Sequence, residues 1–192
     1  GNTPLVIAAS KETLVLNEKE KNGEALVLAW TTGTNQGTNA SIGYTLQLAK
    51  QGTNFSDPVS EDMGTAVYSY KFTTGKLNEI ALAKYSAVPG TTVAFEARVI
   101  AQAKAAGLEP EVSSPVVINV VPYEPVSTTL YLIGDATPNG WDNANATPLT
   151  AVEEEPGVFT WTGLLMPGEF KFMTTLGEWL PTYNKGTEPG TL

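Results

Sequence analysis

Apolar residues recur at every second position through most of the chain. Leu26, Leu28 and Trp30 alternate with Ala25, Val27 and Ala29, while Ile42, Tyr44, Leu46 and Leu48 are spaced by Gly43, Thr45 and Gln47. Ala66, Tyr68, Tyr70 and Phe72 keep the same beat, as do Val93, Phe95, Ala97 and Val99. Successive side chains of an extended strand point to opposite faces, so each run predicts a strand with one face in a core. The unbroken apolar run 116–121 suits a strand with little solvent on either face. Turn-forming stretches at 33–39 and 56–60 separate the runs. The pattern predicts an all-β chain folded as an antiparallel β-sandwich.

One segment departs from the period of two. Leu77, Ile80, Leu82, Ala83 and Ala87 fall at helical spacing, with Asn78 and Glu79 near the start and Pro89-Gly90 as a stop. A short helix is expected there, bridging the two sheets. Further on, Pro122 and Pro125 stiffen the stretch VPYEPVSTT, since proline fixes φ and removes an amide donor. A second β pattern follows it: 130–133, 158–162, 169–173 and 178–180. The chain is therefore expected to consist of a first module over 1–122, a linker over 123–129 and a second module over 130–192. About sixty residues is small for a sandwich without disulfides, so the second module is either truncated or leans on the first.

Composition narrows the function. The 192 residues are 42% hydrophobic and 16% charged. That balance describes a globular chain. With 20 acidic and 11 basic residues the net charge is −9. Such a field repels nucleic acid and leaves neutral ligands unpenalised. Neither cysteine nor histidine occurs, which removes disulfides, Ser–His and Cys–His nucleophiles and ordinary zinc sites. No apolar run approaches the length that crosses a bilayer as a helix. No cofactor motif and no metal set emerges. Asp135 and Asp142 bracket a Gly/Pro/Asn loop but match no twelve-residue calcium loop. Glu153, Glu154 and Glu155 precede Pro156-Gly157 and read as a solvated turn.

The remaining chemistry lies in aromatic residues of the second module. Trp141 sits in NGWDN, a turn-rich loop that is hard to bury; it is either a lid over the sandwich end or a ligand platform. Lys171 lies between Phe170 and Phe172 in a strand. If the two phenylalanines face the core, parity places the lysine on the solvent face. Trp179, in TLGEWLP, is either a core residue of a final strand or, after a turn at Gly177, a neighbour of Lys171. Tyr183 and Asn184 would extend such a site. Trp30 and Trp161 share parity with core positions and are assigned to the interior.

The strands ALVLAW, IGYTLQLAKQGTNF and VAFEARVIAQ resemble a fibronectin type III/Ig-like domain, and LNEIALAKYSAVPG makes the module similar to the N-terminal domain of SusE-like proteins. LYLIGDATPNGWDNANATPLT with GVFTWTGLLMPGEFKFMTTLGEWLPTYN resembles the SusE/SusF starch-binding repeats, a carbohydrate-binding-module-like sandwich. The resemblance implies a non-catalytic, cell-surface, starch- or α-glucan-binding lipoprotein of the Bacteroidetes outer membrane. It would act in a Sus-like glycan uptake system beside a TonB-dependent transporter and other Sus-like surface proteins. It implies a lipid anchor on a cysteine that would lie before Gly1, and it makes Trp141, Lys171 and Trp179 the glycan-contacting residues. Two other readings compete. One is a structural protein that spaces a partner-binding surface from the outer membrane. The other is a carboxylate-pair glycosidase, which needs two acids about 5 to 9.5 Å apart across a cleft.

Overall fold

The computed structural model describes residues 3–191. It divides into two compact units, Gly1–Glu124 and Pro125–Leu192. The fold is all-β and sandwich-like, with one short helix.

In the first unit one sheet sets β3 (Glu24–Trp30) between β1 (Ile7–Ala9) and β6 (Ser69–Thr73), antiparallel to both. The other runs in the order β2 (Thr13–Val15), β9 (Val116–Val121), β7 (Val93–Ala103), β4 (Ile42–Lys50), β5 (Val59–Thr65), with β8 (Glu111–Val112) also on β7. Phe95, Ala97, Val99 and Ala101 of β7 meet Leu26, Leu28, Trp30 and Phe72 of the opposite sheet in one core. Each large side chain so buried contributes about 1.5–3 kcal/mol. The helix α1 (Thr74–Glu79) is capped by Thr73, whose hydroxyl accepts from the Lys76 N–H at 3.2 Å. It continues as a wider turn over Ile80–Lys84.

Four expectations change. The sandwich is not wholly antiparallel: β2 runs parallel to β9, held at its ends by Leu16 N–H to the Val121 carbonyl and Asn119 N–H to the Glu12 carbonyl. The run from Ala66 to Phe72 is broken, because Ala66 turns the chain at φ 60 and only Ser69–Thr73 is strand. Its predecessor β5 begins within the stretch 56–60 that reads as a turn; it is an edge strand whose half-buried positions are Val59, Glu61 and Met63, so a glutamate interrupts the apolar alternation. The helix begins at Thr74, ahead of Leu77, since Thr73 supplies the cap.

The second unit holds a four-stranded antiparallel sheet in the order β11 (Thr147–Pro148), β10 (Tyr131–Ile133), β14 (Lys171–Met173), β15 (Thr182–Tyr183). A two-stranded ladder joins β12 (Thr150–Ala151) and β13 (Phe159–Thr160). Its core is small, built on Ile133, Ala146 and Met173 with Tyr131 packed against them. The last strand is Thr182–Tyr183, not 178–180; it follows the cis Leu180–Pro181 bond, and Trp179 lies in the turn before it. Trp30 is buried in the first unit as expected. Trp161 and Phe159 are only partly buried, because the β12–β13 ladder is too short to close a core over them.

Candidate functional site

The loop from β10 to β11 carries Trp141 and is shaped by its own hydrogen bonds. The Gly134 N–H donates to the Gly140 carbonyl at 2.9 Å, and the Thr137 hydroxyl donates to the Gly134 carbonyl at 2.7 Å. Beyond Trp141, Asp142 accepts from the Ala144 N–H at 3.1 Å and from the Asn145 side-chain amide at 2.9 Å. The Asn145 hydrogen bond is the main reason that the Asp142 carboxyl titrates below the ordinary carboxylate range; slight desolvation opposes it and the Ala144 and Asn145 amides add to it.

This loop is pressed against the strand that bears Lys171. Gly134 (φ +140) and Gly168 (φ +153) adopt a backbone that other residues rarely take. A Cβ on Gly134 would collide with the Glu169 carbonyl oxygen, and one on Gly168 would meet the Asp135 carboxyl carbon at 2.9 Å. The close approach lets Asp135 accept from the Glu169 N–H at 2.8 Å. Two residues on, Lys171 opens β14 opposite Ile133. The turn leading to Trp179 is fastened to the Trp141 loop in its own way: the Gly177 N–H donates to the Asn143 carbonyl at 2.9 Å.

The three side chains therefore converge. The Lys171 ammonium lies 5.9 Å from the centre of the Trp141 ring and 5.2 Å from that of Trp179. Both separations fall within cation–π range. Both rings are open to solvent, Trp141 46% exposed and Trp179 47%. Ion pairs among the described residues join Lys71 to Glu24 and Lys84 to Asp57, leaving Lys171 free to donate. Beside the rings opens a concavity of about 680 Å³, lined among others by Trp141, Phe170, Lys171, Phe172, Asn184 and Lys185.

Trp141, Lys171 and Asn184 thus share one concave surface; Trp179 lies beside Lys171 but does not line it. Tyr183 pairs with Phe172 across β14–β15 and is exposed, but it does not line the concavity. Lys171 does not stand between two core-facing phenylalanines, as parity would place it. Phe170 is not a core residue: it precedes β14, is 45% exposed and meets Phe172 edge to face at 5.8 Å. The core residue of the strand is Met173, on the same parity as Lys171. Sequence reasoning misses Phe170, Phe172 and Lys185 as lining residues; the GEFKF run signals an aromatic pair, and only the third dimension shows on which side it lies. The other acidic candidates stay apart. Asp135 and Asp142 are each engaged locally, and among the described residues no cluster of three or more acids suits a metal ion.

The family model described as SusE outer membrane protein matches residues 1–100, slightly more than half of the chain. The chain belongs to the SusE family. As a SusE-family chain its place is the outer membrane, in a Sus-type system; no helix among its described residues is long and apolar enough to cross a membrane. Among solved structures, SusF from Bacteroides thetaiotaomicron is similar at 16% identity with a TM-score of 0.44, over 90% of this chain and 39% of that one. The chain thus spans well under half the length of SusF. The periplasmic chaperone SfaE is similar at 10% identity with a TM-score of 0.31, over 92% of this chain and 97% of that one. At these scores the two likenesses assign nothing to this SusE-family chain. No curated protein matches it.

Proposed function

We propose that this chain is a non-catalytic polysaccharide-binding protein of a Sus-like uptake system, lipid-anchored and displayed at the cell surface, with an α-glucan such as starch as its ligand class. A TonB-dependent transporter and other Sus-like surface proteins are its proposed neighbours. The strand order β1-β3-β6 opposite β2-β9-β7-β4-β5 supports reading the first module, 1–122, as a fibronectin type III/Ig-like spacer, followed by the linker 123–129. The second module, 130–192, would hold the sugar.

One observation carries the reading: a single ammonium group within cation–π range of two half-open indole rings. A pyranose offers a flat C–H face and a rim of hydroxyls, so exposed rings stack on the face while Lys171 donates to the rim. Asn184 adds an amide donor and acceptor in the same concavity. Nothing in this mechanism breaks a bond. A shallow open site of this kind gives single-site dissociation constants on the order of 10 µM to millimolar, and repeated sites on one polymer raise avidity.

Affinity electrophoresis in gels containing starch tests the proposal. The wild-type chain is expected to be retarded, and Trp141→Ala or Trp179→Ala to restore free migration with an unchanged circular dichroism spectrum. Retardation of both variants equal to wild type would count against the platform. The alternative is a spacer presenting a partner-binding surface. It is favoured by the exposed apolar run at Leu164, Leu165 and Met166, of which Leu164 is 77% exposed. Exposed apolar patches often mark sites of protein association.

A further inference from the structure

The second unit is strongly acidic, and its few positive charges are not scattered. Between Pro125 and Leu192 there are eight Asp and Glu side chains but only two cations, Lys171 and Lys185, which leaves −6. Both lysines line the same concavity, beside Trp141, Phe170 and Phe172. Among the residues of that lining, Glu169 is the one carboxylate, so the groove is net positive within a unit that is otherwise negative. The two acids of the Trp141 loop are engaged in hydrogen bonds: Asp135 accepts from the Glu169 N–H beside the lining, and Asp142 is held by Asn145 and the Ala144 amide.

A neutral glucan needs one donor to fix its orientation, and Lys171 between the two rings supplies it. Lys185 is a second full charge in the lining, next to Asn184. Ammonium groups form their shorter and stronger hydrogen bonds with carboxylate, sulfate or phosphate oxygens. Within a unit of net charge −6 both cations lie at this opening, so an anionic group meets its opposite charges here.

Building on the platform reading, we infer that the groove takes a glycan carrying an anionic substituent on a ring next to the stacked one, its carboxylate held by Lys185 together with Lys171. Lys185 is then a specificity-determining residue. It distinguishes an acidic polysaccharide from its neutral counterpart, while the indole rings hold the pyranose faces of either.

Calorimetric titration of the full chain with amylose and with C6-oxidised amylose, which shares its backbone and linkage but carries carboxylates, tests the inference. At low salt the oxidised polymer is expected to bind about fivefold more tightly per site, the scale of an exposed ion pair. Raising the salt from about 20 to about 300 mM should remove the difference, because exposed charges are screened over about 8–10 Å at physiological ionic strength and less above it. Lys185→Gln should abolish the preference for the oxidised polymer. Equal binding of the two polymers, or a preference that survives Lys185→Gln, overturns the inference while the platform stands. Binding of the oxidised polymer that Trp141→Ala leaves intact also overturns it, since the anion would then be held elsewhere; loss of all glycan binding by the wild type sinks the platform with it.

Discussion

At the scale of single residues, the site depends on positions with no chemistry of their own. Gly134 lies where the Trp141 loop touches the chain ahead of β14, and a methyl group there would strike the Glu169 carbonyl. Gly134→Ala is therefore expected to destabilise the second unit by about 1–3 kcal/mol, the combined scale of strained backbone and steric conflict. The same variant should weaken glucan retention without touching a ligand-facing side chain, because it parts Trp141 from Lys171. Thermal unfolding followed by tryptophan fluorescence, beside the starch gel, measures both; an unshifted transition would show that the two segments are not locked as described. Lys171 makes the converse point. That it faces the groove and not the core is legible from its charge, but the reason is not, since Phe170 is a groove residue and Met173 the interior one.

At the scale of elements, the first unit is joined by polar staples as much as by its core. Asn78 is buried on the helix, where its side-chain amide donates to the Tyr123 carbonyl at 3.1 Å and its oxygen accepts from the Tyr123 N–H at 2.9 Å. Asn78→Leu would leave both backbone groups unsatisfied and is expected to cost about 2–4 kcal/mol, read from the denaturant midpoint. A loss under about 0.5 kcal/mol, below the net scale of one hydrogen bond, would show that water replaces the amide. The long strands β3, β4 and β7 are legible because their buried side recurs with period two over six residues or more, and β9 because its apolar run is nearly unbroken. The short β2 and the edge strand β5 are not, since one has three residues and the other puts Glu61 between its two apolar half-buried positions. The strand after Trp179 lies further along, at Thr182–Tyr183, than the apolar residues of 178–180 suggest. In the second unit the residue types of the platform are legible in the sequence. Their convergence rests on the bond between Gly177 and Asn143, residues far apart in sequence and joined by nothing a local pattern can show.

At the scale of the whole molecule, the absence of cysteine leaves stability to the core and to buried polar groups, and this gives the chain an alkaline weakness. Burial, then the charge of Glu18 and a hydrogen bond to it, push the Tyr123 hydroxyl up to about 12, and burial raises Tyr44, Tyr70 and Tyr85 as well. A folded value above the unfolded one means stability that is fully present below about pH 10 and is lost as pH climbs toward about 12. The denaturation midpoint of the first unit should hold steady up to about pH 10 and then fall, more gently in Tyr123→Phe. A midpoint unchanged through about pH 12 would contradict this.

A sugar held as proposed lies against Trp141 and Trp179 and away from the other two indoles. Proton–nitrogen correlation spectra resolve the four indole N–H groups of the chain separately, once assigned by single Trp→Phe variants. Titration with maltoheptaose is predicted to shift the Trp141 and Trp179 signals along one saturable curve while Trp30 and Trp161 stay fixed. Shifts confined to Trp30 or Trp161, or four signals unmoved at millimolar sugar, would contradict it.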